Sequence, residues 1–472
     1  MASMMHEMGR WLRNWGVALA LLLAGVGLRL LFVVLHPWIA GDSLVYADIA
    51  QNMWTAHIYG VSDAAGIRST LIRLPGYPVF LAACFVVFGM GKFSPVLWVQ
   101  LCFSVADFCM IAALAARLMG RRAGLIALAL GALCPFTANY CAVPLSETCV
   151  LFCVSLAFFS LERWSAAQRQ GRPWNAWLAA ISFALSWGIL LRPDQALVPV
   201  VVLPAMLWIG WRPAVGSMFR RGGPALSVVL AIALPLLLWG ARNWHVFHVV
   251  QPLAPRFAKD PGEQNPYGFQ RWYRTWAIDF EATVNVYWNY DGDPVSLADL
   301  PPRAFDNPAQ RAETARLYAV YARTNRSTPT LDAGFTKLAD ERVKAHPLRF
   351  YLEIPALKVL NMWLRPRTEF INLPLDWWRF RTHPRQSFLC VAYALLNAAY
   401  LALAAVGLGR WRKQGWSGQR ALAYAMLAFV ALRCVLLWTI DNSEPRYTLE
   451  CFPVVILLAS FALPRKQEGL SA

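Results

Sequence analysis

The sequence Ile39-Ala40-Gly41-Asp42-Ser43-Leu44-Val45-Tyr46-Ala47-Asp48 follows the first long apolar segment of the chain, and the fold can be worked out from it. Asp42 lies where that segment should leave a membrane. Its carboxylate could simply accept backbone N–H groups at the start of a helix. Alternatively it could serve chemistry, since ionisable side chains at a membrane are costly and usually functional. The spacing alone does not separate these two interpretations.

The composition is that of a polytopic membrane protein. The 472 residues are 58% hydrophobic and 15% charged, and the mean hydropathy is +0.41, beyond the apolar share of ordinary globular domains. The 22 Trp residues suit aromatic belts at membrane interfaces. The net charge of +17 comes from short loops between apolar segments, which indicates membrane orientation and not nucleic-acid binding. No small-residue cleavage site follows the first apolar run, so we expect an uncleaved helix there.

Ten segments are long and apolar enough to cross a ~30 Å hydrocarbon layer as helices. They are residues 16–36, 95–117, 123–141, 144–162, 175–191, 194–211, 224–241, 387–408, 421–440 and 448–463. Lysine and arginine cluster in alternate loops, which can therefore all face the cytoplasm. These loops contain Arg10 and Arg13; Arg117, Arg121 and Arg122; Arg163, Arg169 and Arg172; Arg212, Arg220 and Arg221; Arg410, Arg412, Lys413 and Arg420; and Arg465 and Lys466.

The same alternation requires two further apolar segments not to cross. Residues 77–89 are too short to span and lie between two outer loops, which predicts a re-entrant or interfacial helix. Residues 350–364, interrupted by Pro355, should lie on the outer surface for the same reason. A spanning segment there would place the arginine-rich loop 410–420 outside.

Two large outer elements result, the first at residues 37–95 and the second a polar and aromatic cap. Within the cap, residues 267–274 supply aromatic side chains, and residues 331–346 have a helical period that ends at Pro347. The predicted parts of the chain are an N-terminal transmembrane module at 1–241, the cap at 242–386, and C-terminal transmembrane helices with a short tail at 387–472.

The ten cysteines all lie in or beside apolar segments, and the longest polar stretch has none. Their spacing matches neither a disulfide framework nor a metal site. We expect them to be small buried hydrophobic residues.

Six ionisable residues on the predicted outer side are candidates for function: Asp42, Asp48, Arg73, Glu147, Arg192 and Arg446. Each also has a simpler interpretation. Arg73 could reach lipid phosphate, and Arg192 could pair with Asp194. The helix dipole would favour Glu147 at the start of a span. Asp441 and Glu444 could neutralise Arg446. Asp48 could be solvated, or it could pair with Arg68 or Arg73.

Taken together, three arginines and two carboxylates recur at one depth on one face, which a scatter of lipid-facing residues would not produce. A guanidinium matches phosphate with two parallel hydrogen bonds and stabilises charge that develops on a leaving phosphate. A carboxylate opposite it could act as a base toward a hydroxyl. The pattern predicts group transfer from a phosphate-linked, lipid-borne donor, and it leaves the donor open.

Six short motifs occur in a fixed order along residues 10–463. They are Gly41-Asp42-Ser43 with Tyr46-Ala47; Arg73-Leu74-Pro75-Gly76-Tyr77-Pro78; Pro144-Leu145-Ser146-Glu147; Leu191-Arg192-Pro193; Ala241-Arg242-Asn243; and Glu444-Pro445-Arg446-Tyr447. This ordered set resembles the integral-membrane glycosyltransferases of the C-type fold (GT-C), in particular the bacterial members akin to protein O-mannosyltransferases and aminoarabinose transferases. Each motif is short, so the resemblance depends on the set.

The resemblance implies an all-α polytopic membrane protein with a transmembrane bundle of about ten spans, a periplasmic first loop containing juxtamembrane helices, and a mixed periplasmic cap. It implies an inverting transfer of a sugar from a polyprenyl-phosphate donor to a hydroxyl-bearing envelope acceptor, whether lipid A or another glycolipid, a polysaccharide or a protein. It also implies residence in the bacterial inner membrane with the active site facing the periplasm. The sugar and the acceptor are left open.

The resemblance further implies roles for individual residues. Asp42 would be the general base. Arg73 and Arg192 would hold the carrier phosphate, and Arg446 would assist. Glu147, Asp48, Tyr46 and Tyr77 would shape the site, and Glu147 could also approach a divalent metal, the one cofactor left open. Many relatives carry a second acid where Ser43 stands, so this chain offers less for a metal there and leaves Asp42 as the base of the motif.

Two alternatives from other classes remain at this stage. A secondary transporter or flippase of a lipid-linked substrate would also have charged residues in broken helices, but the chain shows no matched halves and its ionisable residues lie at one face. Arg29, Asp107 and Arg433 are exceptions within predicted spans, and we expect Arg29 to pair with Asp107. The second alternative is a catalytically inactive relative that binds lipid.

Overall fold

The computed structural model describes residues 2–211 and 218–463, with side chains described from Trp15 onwards except at 219 and 220. The chain forms two compact units. The first unit runs to Pro261 and includes Ala399–Val430 and the chain from Glu450, and the second consists of Gly262–Ala398 and Ala431–Leu449. The predicted boundaries at 241 and 386 stay a prediction. Part of the charge pattern used for orientation lies outside the described residues or side chains, namely Arg10, Arg13, Arg212, Arg220, Arg465 and Lys466.

The elements are mostly helices, with one short hairpin. In chain order they are α1 (Ala2–Leu35), α2 (Gly41–Thr55), β1 (Gly60–Asp63), β2 (Gly66–Ser69), α3 (Gly76–Phe88), α4 (Phe93–Met119), α5 (Arg121–Ala132), α6 (Pro135–Tyr140), α7 (Glu147–Arg169), α8 (Ala176–Leu191), α9 (Leu197–Trp211), α10 (Met218–Phe247), α11 (Tyr267–Tyr273), α12 (Phe280–Ala282), α13 (Pro308–Tyr321), α14 (Pro329–Ala345), α15 (Ile354–Leu364), α16 (Pro384–Lys413), α17 (Arg420–Thr439), α18 (Arg446–Leu449) and α19 (Phe452–Ser460). The strands pair antiparallel, with Gly60 opposite Ser69 and Asp63 opposite Gly66.

Seven helices within the described ranges are long and apolar enough to cross a membrane. They are Trp15–Leu35, Phe93–Met119, Glu147–Arg169, Pro193–Trp211, Arg221–Phe247, Pro384–Lys413 and Arg420–Thr439. Each coincides with a predicted span, which confirms the all-α polytopic fold class. Of the other three predicted spans, 123–141 is divided between α5 and α6, 175–191 is α8 with 16 residues, and 448–463 contains α19 with 9 residues. The total of ten spans stays a prediction.

The two apolar segments expected not to cross are both helical. Residues 77–89 form α3, whose 13 residues give a length of about 20 Å, shorter than the hydrocarbon layer. A π-helical turn at Arg349–Glu353 continues directly into α15. The expected interruption at Pro355 corresponds to the change from the π-helical turn to the α-helix, which falls one residue before this proline and places it in the first turn of α15. The predicted helix before Pro347 is confirmed as α14.

Arg29 joins three helices of the first unit and is completely buried. Its guanidinium donates hydrogen bonds of 2.8–3.1 Å to Gly25 O, Gly131 O, Ala132 O and Ser104 Oγ. Two of these carbonyls end α5, where a cation offsets the negative end of the helix dipole. The expected ion pair with Asp107 is wrong, because Arg29 is directed at carbonyls and Asp107 accepts a hydrogen bond from Ser155 instead.

The second unit has an aromatic core formed by α11, α13 and α14 with the segment between α12 and α13. The rings of Phe269 and Tyr290 stack at 3.5 Å between centroids, and Trp272 and Phe335 are fully buried beside them. Asp332 of α14 closes the start of α11 by accepting hydrogen bonds from Gly268 N and Phe269 N, each at 3.0 Å. Phe269, Trp272 and Tyr273 of the aromatic stretch 267–274 thus belong to a packed core.

A buried arginine ties the start of α13 to α14. Arg342 is fully buried and pairs with Asp306 at 3.2 Å, and Arg349 pairs with the same carboxylate at 2.8 Å. Burial raises the pKa of Asp306. The hydrogen bond from Arg349 and the charge of Arg342 lower that pKa by more than burial raises it, so the pKa lies below its usual value. A carboxyl with a lowered folded-state pKa stabilises the fold above its unfolded-state pKa. That contribution is lost as the pH falls through the folded-state value.

Replacing Asp306 with Asn should destabilise the second unit by about 3 kcal/mol at neutral pH, because Arg342 would remain buried without its carboxylate. The free energy of unfolding of this variant should also fall less steeply than that of the wild type as the pH is lowered. Denaturant unfolding followed by near-ultraviolet circular dichroism, between about pH 3 and pH 7, measures both. Glu313→Gln is the control, because Glu313 pairs with Arg316 on the exposed surface of α13 and should change nothing measurable. Equal behaviour of the two variants would contradict this account.

Candidate active site

Helix α2 begins at Gly41 with Ala40 as its N-cap residue. Ser43 completes the cap, since its Oγ accepts a hydrogen bond from Ala40 N at 3.2 Å. Asp42 lies in the first turn, where the helix dipole favours a carboxylate, but the capping position is not its own. Ser43 therefore has a structural role, and the N-cap residue of α2 is Ala40 and not Asp42.

Asp42 and Arg73 form an ion pair, in which Arg73 Nη2 donates to Asp42 Oδ1 at 2.7 Å. The two side chains are 30% and 22% exposed, so the pair is partly open to its surroundings. The guanidinium also lies 5.6 Å from the ring centre of Tyr46, a cation–π distance. The structure thus brings together the predicted base and a predicted phosphate ligand. As a member of an ion pair, Asp42 is a carboxylate, the form that a general base requires.

The backbone leading to Arg73 is fixed by a buried carboxylate that sequence reasoning missed. Asp260 accepts hydrogen bonds from Leu71 N at 2.8 Å and Thr70 Oγ1 at 3.1 Å. It also pairs with Arg68 at 3.1 Å. No local signal marks Asp260, because Leu71 and Asp260 are 189 positions apart in the chain.

Arg242, from the motif Ala241-Arg242-Asn243, supports the same segment from α10. It donates to Thr70 O and to Tyr59 O, each at 2.7 Å. Its guanidinium lies 5.1–5.3 Å from three ring centres, those of Tyr59, Trp239 and Phe247. Tyr59 Oη then donates to Arg73 O at 3.1 Å. The motif therefore acts on Arg73 indirectly, through the backbone that carries it.

Gly76 allows the segment that follows Arg73 to pack against the end of α8. A Cβ at this position would lie 2.5–2.7 Å from backbone atoms of Leu190 and Leu191, the residues just before Arg192. Only a residue without a side chain permits so close an approach. Trp187 Nε1 also donates to Gly76 O at 3.3 Å. The glycine of the second motif thus places Arg73 and Arg192 in one region of the first unit.

Arg192 lies among three carboxylates, those of Glu147, Asp194 and Glu450. It contacts Glu147 Oε1 at 2.8 Å, Asp194 Oδ2 at 3.1 Å and Glu450 Oε1 at 3.0 Å. Arg192 itself is only 14% exposed, and Glu147 and Glu450 are almost completely buried. The local pair with Asp194 is confirmed, but it is one of three.

Glu450 is the second residue that sequence reasoning missed, and here a signal existed. It lies inside the predicted span 448–463, where an ionisable side chain is costly and calls for a function. It accepts a hydrogen bond from Gln195 Nε2 in addition to its contact with Arg192. Arg192 thus contacts three carboxylates, with which a phosphate would have to compete for its guanidinium. The role of Arg192 as a ligand of the carrier phosphate stays a prediction.

Tyr46 is buried beside both charged groups. Its ring meets that of Tyr77 edge-on at 4.9 Å between centroids. Burial raises the pKa of Tyr46, and the charges of Arg73, Asp42, Glu147 and Arg192 all act on the same hydroxyl. Tyr46 thus lies near the Asp42–Arg73 pair as well as the Glu147–Arg192 pair.

Tyr77 packs beside Tyr46 and connects this region to α4. It is fully buried, and its Oη donates to Gln100 Oε1 at 2.6 Å. Gln100 Nε2 in turn donates to Val143 O at 2.7 Å. The chain of contacts joins α3 and α4 to the segment that leads to Glu147.

Asp48 has a structural role that the sequence did not indicate. It accepts hydrogen bonds from Ser62 N at 2.6 Å, Ser62 Oγ at 2.8 Å and Asn52 Nδ2 at 3.1 Å. In place of the pairing with Arg68 or Arg73 that the sequence allowed, Asp48 accepts two hydrogen bonds from Ser62 of the unpredicted hairpin β1–β2 and one from Asn52 of α2. Asp48 thus anchors the hairpin to α2.

Arg446 lies in the second unit. It pairs with Glu444, which also accepts a hydrogen bond from Tyr447 Oη at 2.8 Å. Asp441 contacts Arg274 at 3.3 Å. Of the two carboxylates expected to neutralise Arg446, Glu444 does so. The assistance of Arg446 to a carrier phosphate stays a prediction.

A metal site was considered at Glu147. Across residues 2–211 and 218–463, the structure holds no group of three or more His, Cys, Asp or Glu side chains arranged to bind a metal ion. Glu147 instead binds Arg192. The residues present do not fit a metal centre, and we derive no catalytic step through one.

Residues 73–239 match the family model described as dolichyl-phosphate-mannose-protein mannosyltransferase. This match bears out the resemblance to protein O-mannosyltransferases over that part of the chain. The match begins at Arg73 and includes Glu147 and Arg192, whereas Asp42 and Glu450 lie outside it. None of the curated protein sequences matches the chain.

Two solved structures illustrate the likeness in three dimensions. The oligosaccharyltransferase of Archaeoglobus fulgidus, in complex with Zn and sulfate, is 12% identical with a TM-score of 0.48, covering 94% of this chain and 48% of that one. ArnT from Cupriavidus metallidurans, bound to undecaprenyl phosphate, is 15% identical with a TM-score of 0.36, covering 91% of this chain and 77% of that one. The chain therefore spans about half the length of the archaeal protein.

Gly76→Ala should destabilise the first unit by about 1–3 kcal/mol, because the added methyl group would overlap the backbone of Leu190. Thermal unfolding of the purified protein in detergent measures the change. Gly27→Ala in α1 is the matched control, since a Cβ there would meet nothing within 4 Å, and its unfolding temperature should not fall. Equal unfolding temperatures for the two variants would show that the close approach at Gly76 does not exist.

Proposed function

We propose that this chain transfers a sugar from a polyprenyl-phosphate carrier to a hydroxyl group of a cell-envelope acceptor, such as a glycolipid, a polysaccharide or a protein. The observation that carries the proposal is the ion pair of Asp42 and Arg73, which holds a base beside a cation that matches phosphate. The family match that begins at Arg73 supports it.

In the proposed reaction, Asp42 removes the proton of the acceptor O–H as the oxygen attacks the anomeric carbon of the donor sugar. The bond between that carbon and the phosphate oxygen breaks, and the carrier phosphate leaves with the electron pair. One direct displacement inverts the configuration of the anomeric carbon. The leaving phosphate gains one negative charge, which the guanidinium of Arg73 stabilises.

Of the two arginines of the first unit that the sequence predicts to bind the carrier phosphate, Arg73 is the better candidate. Arg192 already contacts three carboxylates that are largely buried with it, and a phosphate would have to displace them from its guanidinium. We assign Arg192 a positioning role, because it joins α7 to the turn after α8 and to the chain at Glu450. Buried carboxylates require such a partner.

The proposed setting is the bacterial inner membrane, with the site facing the periplasm. Seven apolar helices make the chain a multi-pass membrane protein, and the carrier lipid resides in the same bilayer. The lysine and arginine pattern of the short loops supports the orientation. In the second unit, Arg446 is proposed to assist at the carrier phosphate.

Asp42→Asn should abolish transfer, because an amide cannot take the acceptor proton. Mass spectrometry of lipid A, glycans and envelope proteins from a deletion strain identifies the modification that is lost, and the wild-type gene on a plasmid restores it. The Asn variant should lower the modified fraction at least about 100-fold at an equal protein level. Asp63→Asn is the control, since Asp63 is an exposed carboxylate of the hairpin.

Full modification by the Asp42→Asn variant would remove Asp42 from the reaction. If the wild-type chain restores no modification but binds polyprenyl phosphate, the chain is a lipid-binding relative without transferase activity.

A further inference from the structure

The loop that follows α15 carries a carboxylate in unusual surroundings. Both oxygens of Glu369 are inaccessible to solvent, and neither accepts a hydrogen bond from another residue within the described part of the chain. Burial raises the pKa of Glu369, while the charges of Arg367 and Arg365 oppose that change. A buried carboxylate without donors is costly, so its retention calls for an explanation.

Arg365, four residues earlier, is similarly placed. It is only 8% exposed. Its Nε donates a long hydrogen bond of 3.4 Å to Pro366 O, and its guanidinium lies 4.9 Å from the ring centre of Phe280. Among the residues that the structure describes, no carboxylate reaches it within the 4.0 Å of an ion pair.

Arg367 in the same loop shows what a purely structural arginine looks like here. It is buried and donates to Pro445 O at 2.9 Å, to Asn397 Oδ1 at 3.3 Å and to Thr448 Oγ1. These bonds join the loop to two other segments of the second unit. Arg365 makes no such set of bonds, so cross-linking the fold does not account for it.

Arg365 and Glu369 act on each other electrostatically without forming an ion pair. Asp279 and Glu281 also act on Arg365, and Glu444 acts on Glu369. The loop after α15 therefore holds a buried donor group and a buried acceptor group four residues apart in the sequence, and no ion pair joins them within the described part of the chain.

The chemistry of these two groups selects their ligand. A phosphate would bind Arg365 but would be repelled by Glu369, Asp279 and Glu281, and an ammonium group would be repelled by Arg365. A hydroxyl group is neutral, donates to a carboxylate and accepts from a guanidinium. Adjacent hydroxyls on one ring do both at once.

We infer that Arg365 and Glu369 bind a sugar ring of the substrate through adjacent hydroxyl groups. This inference rests on the proposed function, which supplies the reason for a sugar. It assigns a carbohydrate-binding site to the second unit, separately from the chemistry proposed for Asp42 and Arg73. Charge-assisted hydrogen bonds to these buried groups would orient the sugar ring as well as strengthen its binding.

The test uses the full chain in lipid nanodiscs, with methyl glycosides of hexoses and pentoses as probes, in saturation-transfer difference NMR. Glycosides should bind the wild-type protein, and Glu369→Gln and Arg365→Gln should each weaken binding at least about tenfold. Glu353→Gln is the matched control, because Glu353 is an exposed carboxylate of the same unit, and it should bind as the wild type does. The melting temperature of Glu369→Gln should equal or exceed that of the wild type, since an unpaired buried charge is removed.

Several outcomes would overturn the inference. They are glycoside binding that neither variant changes, no glycoside binding by the wild type, and binding of inorganic phosphate or ethanolamine in place of glycosides. If Glu369→Gln fails to fold, Arg365→Gln makes the same distinction. Glycoside binding that depends on Glu369, together with sugar transfer by Asp42→Asn, would refute the proposed mechanism and leave this site intact. Sugar transfer that depends on Asp42, in a chain that binds no glycoside, would support the proposed mechanism and refute the carbohydrate-binding site.

Discussion

The contact between Gly76 and the end of α8 is the constraint on which the candidate active site depends. It allows the backbone after Arg73 to meet Leu190 and Leu191, just before Arg192. Two charged groups of different character then share one region. One is the partly exposed ion pair of Asp42 and Arg73, and the other is the buried Arg192 with its three carboxylates. In the function that we propose, the first binds the phosphate and the hydroxyl, and the second positions the helices around them.

The arginines of this chain divide by what their guanidinium groups bind. Arg29, Arg242 and Arg367 donate to backbone carbonyls and join distant segments, as buried cations must when they only support a fold. Arg73 pairs with a partly exposed carboxylate, and Arg365 has an aromatic ring and one long hydrogen bond. Burial together with partner type, and not burial alone, separates structural arginines from candidate ligands.

Much of the fold could be predicted because membrane spans depend on local apolar runs, and seven of the predicted spans are long helices. Asp42 and Arg73 could also be found, because each lies in a short motif beside a helix end. Asp260 could not, since its contact with Leu71 joins positions far apart in the chain. The hairpin β1–β2 was missed because four-residue strands carry little periodicity, and the error about Asp48 followed from it. Glu450 was a different failure, since its position inside an apolar span was a usable signal.

The central claim is that Arg73, beside Asp42, holds the carrier phosphate, and that Arg192 does not. A cryo-electron microscopy structure of the full chain with polyprenyl phosphate bound tests it most directly. We expect the phosphate within hydrogen-bonding distance of Arg73, with Arg192 still contacting Glu147, Asp194 and Glu450. A phosphate bound to Arg192 with those carboxylates displaced, or bound to Arg365 in the second unit, would contradict the account.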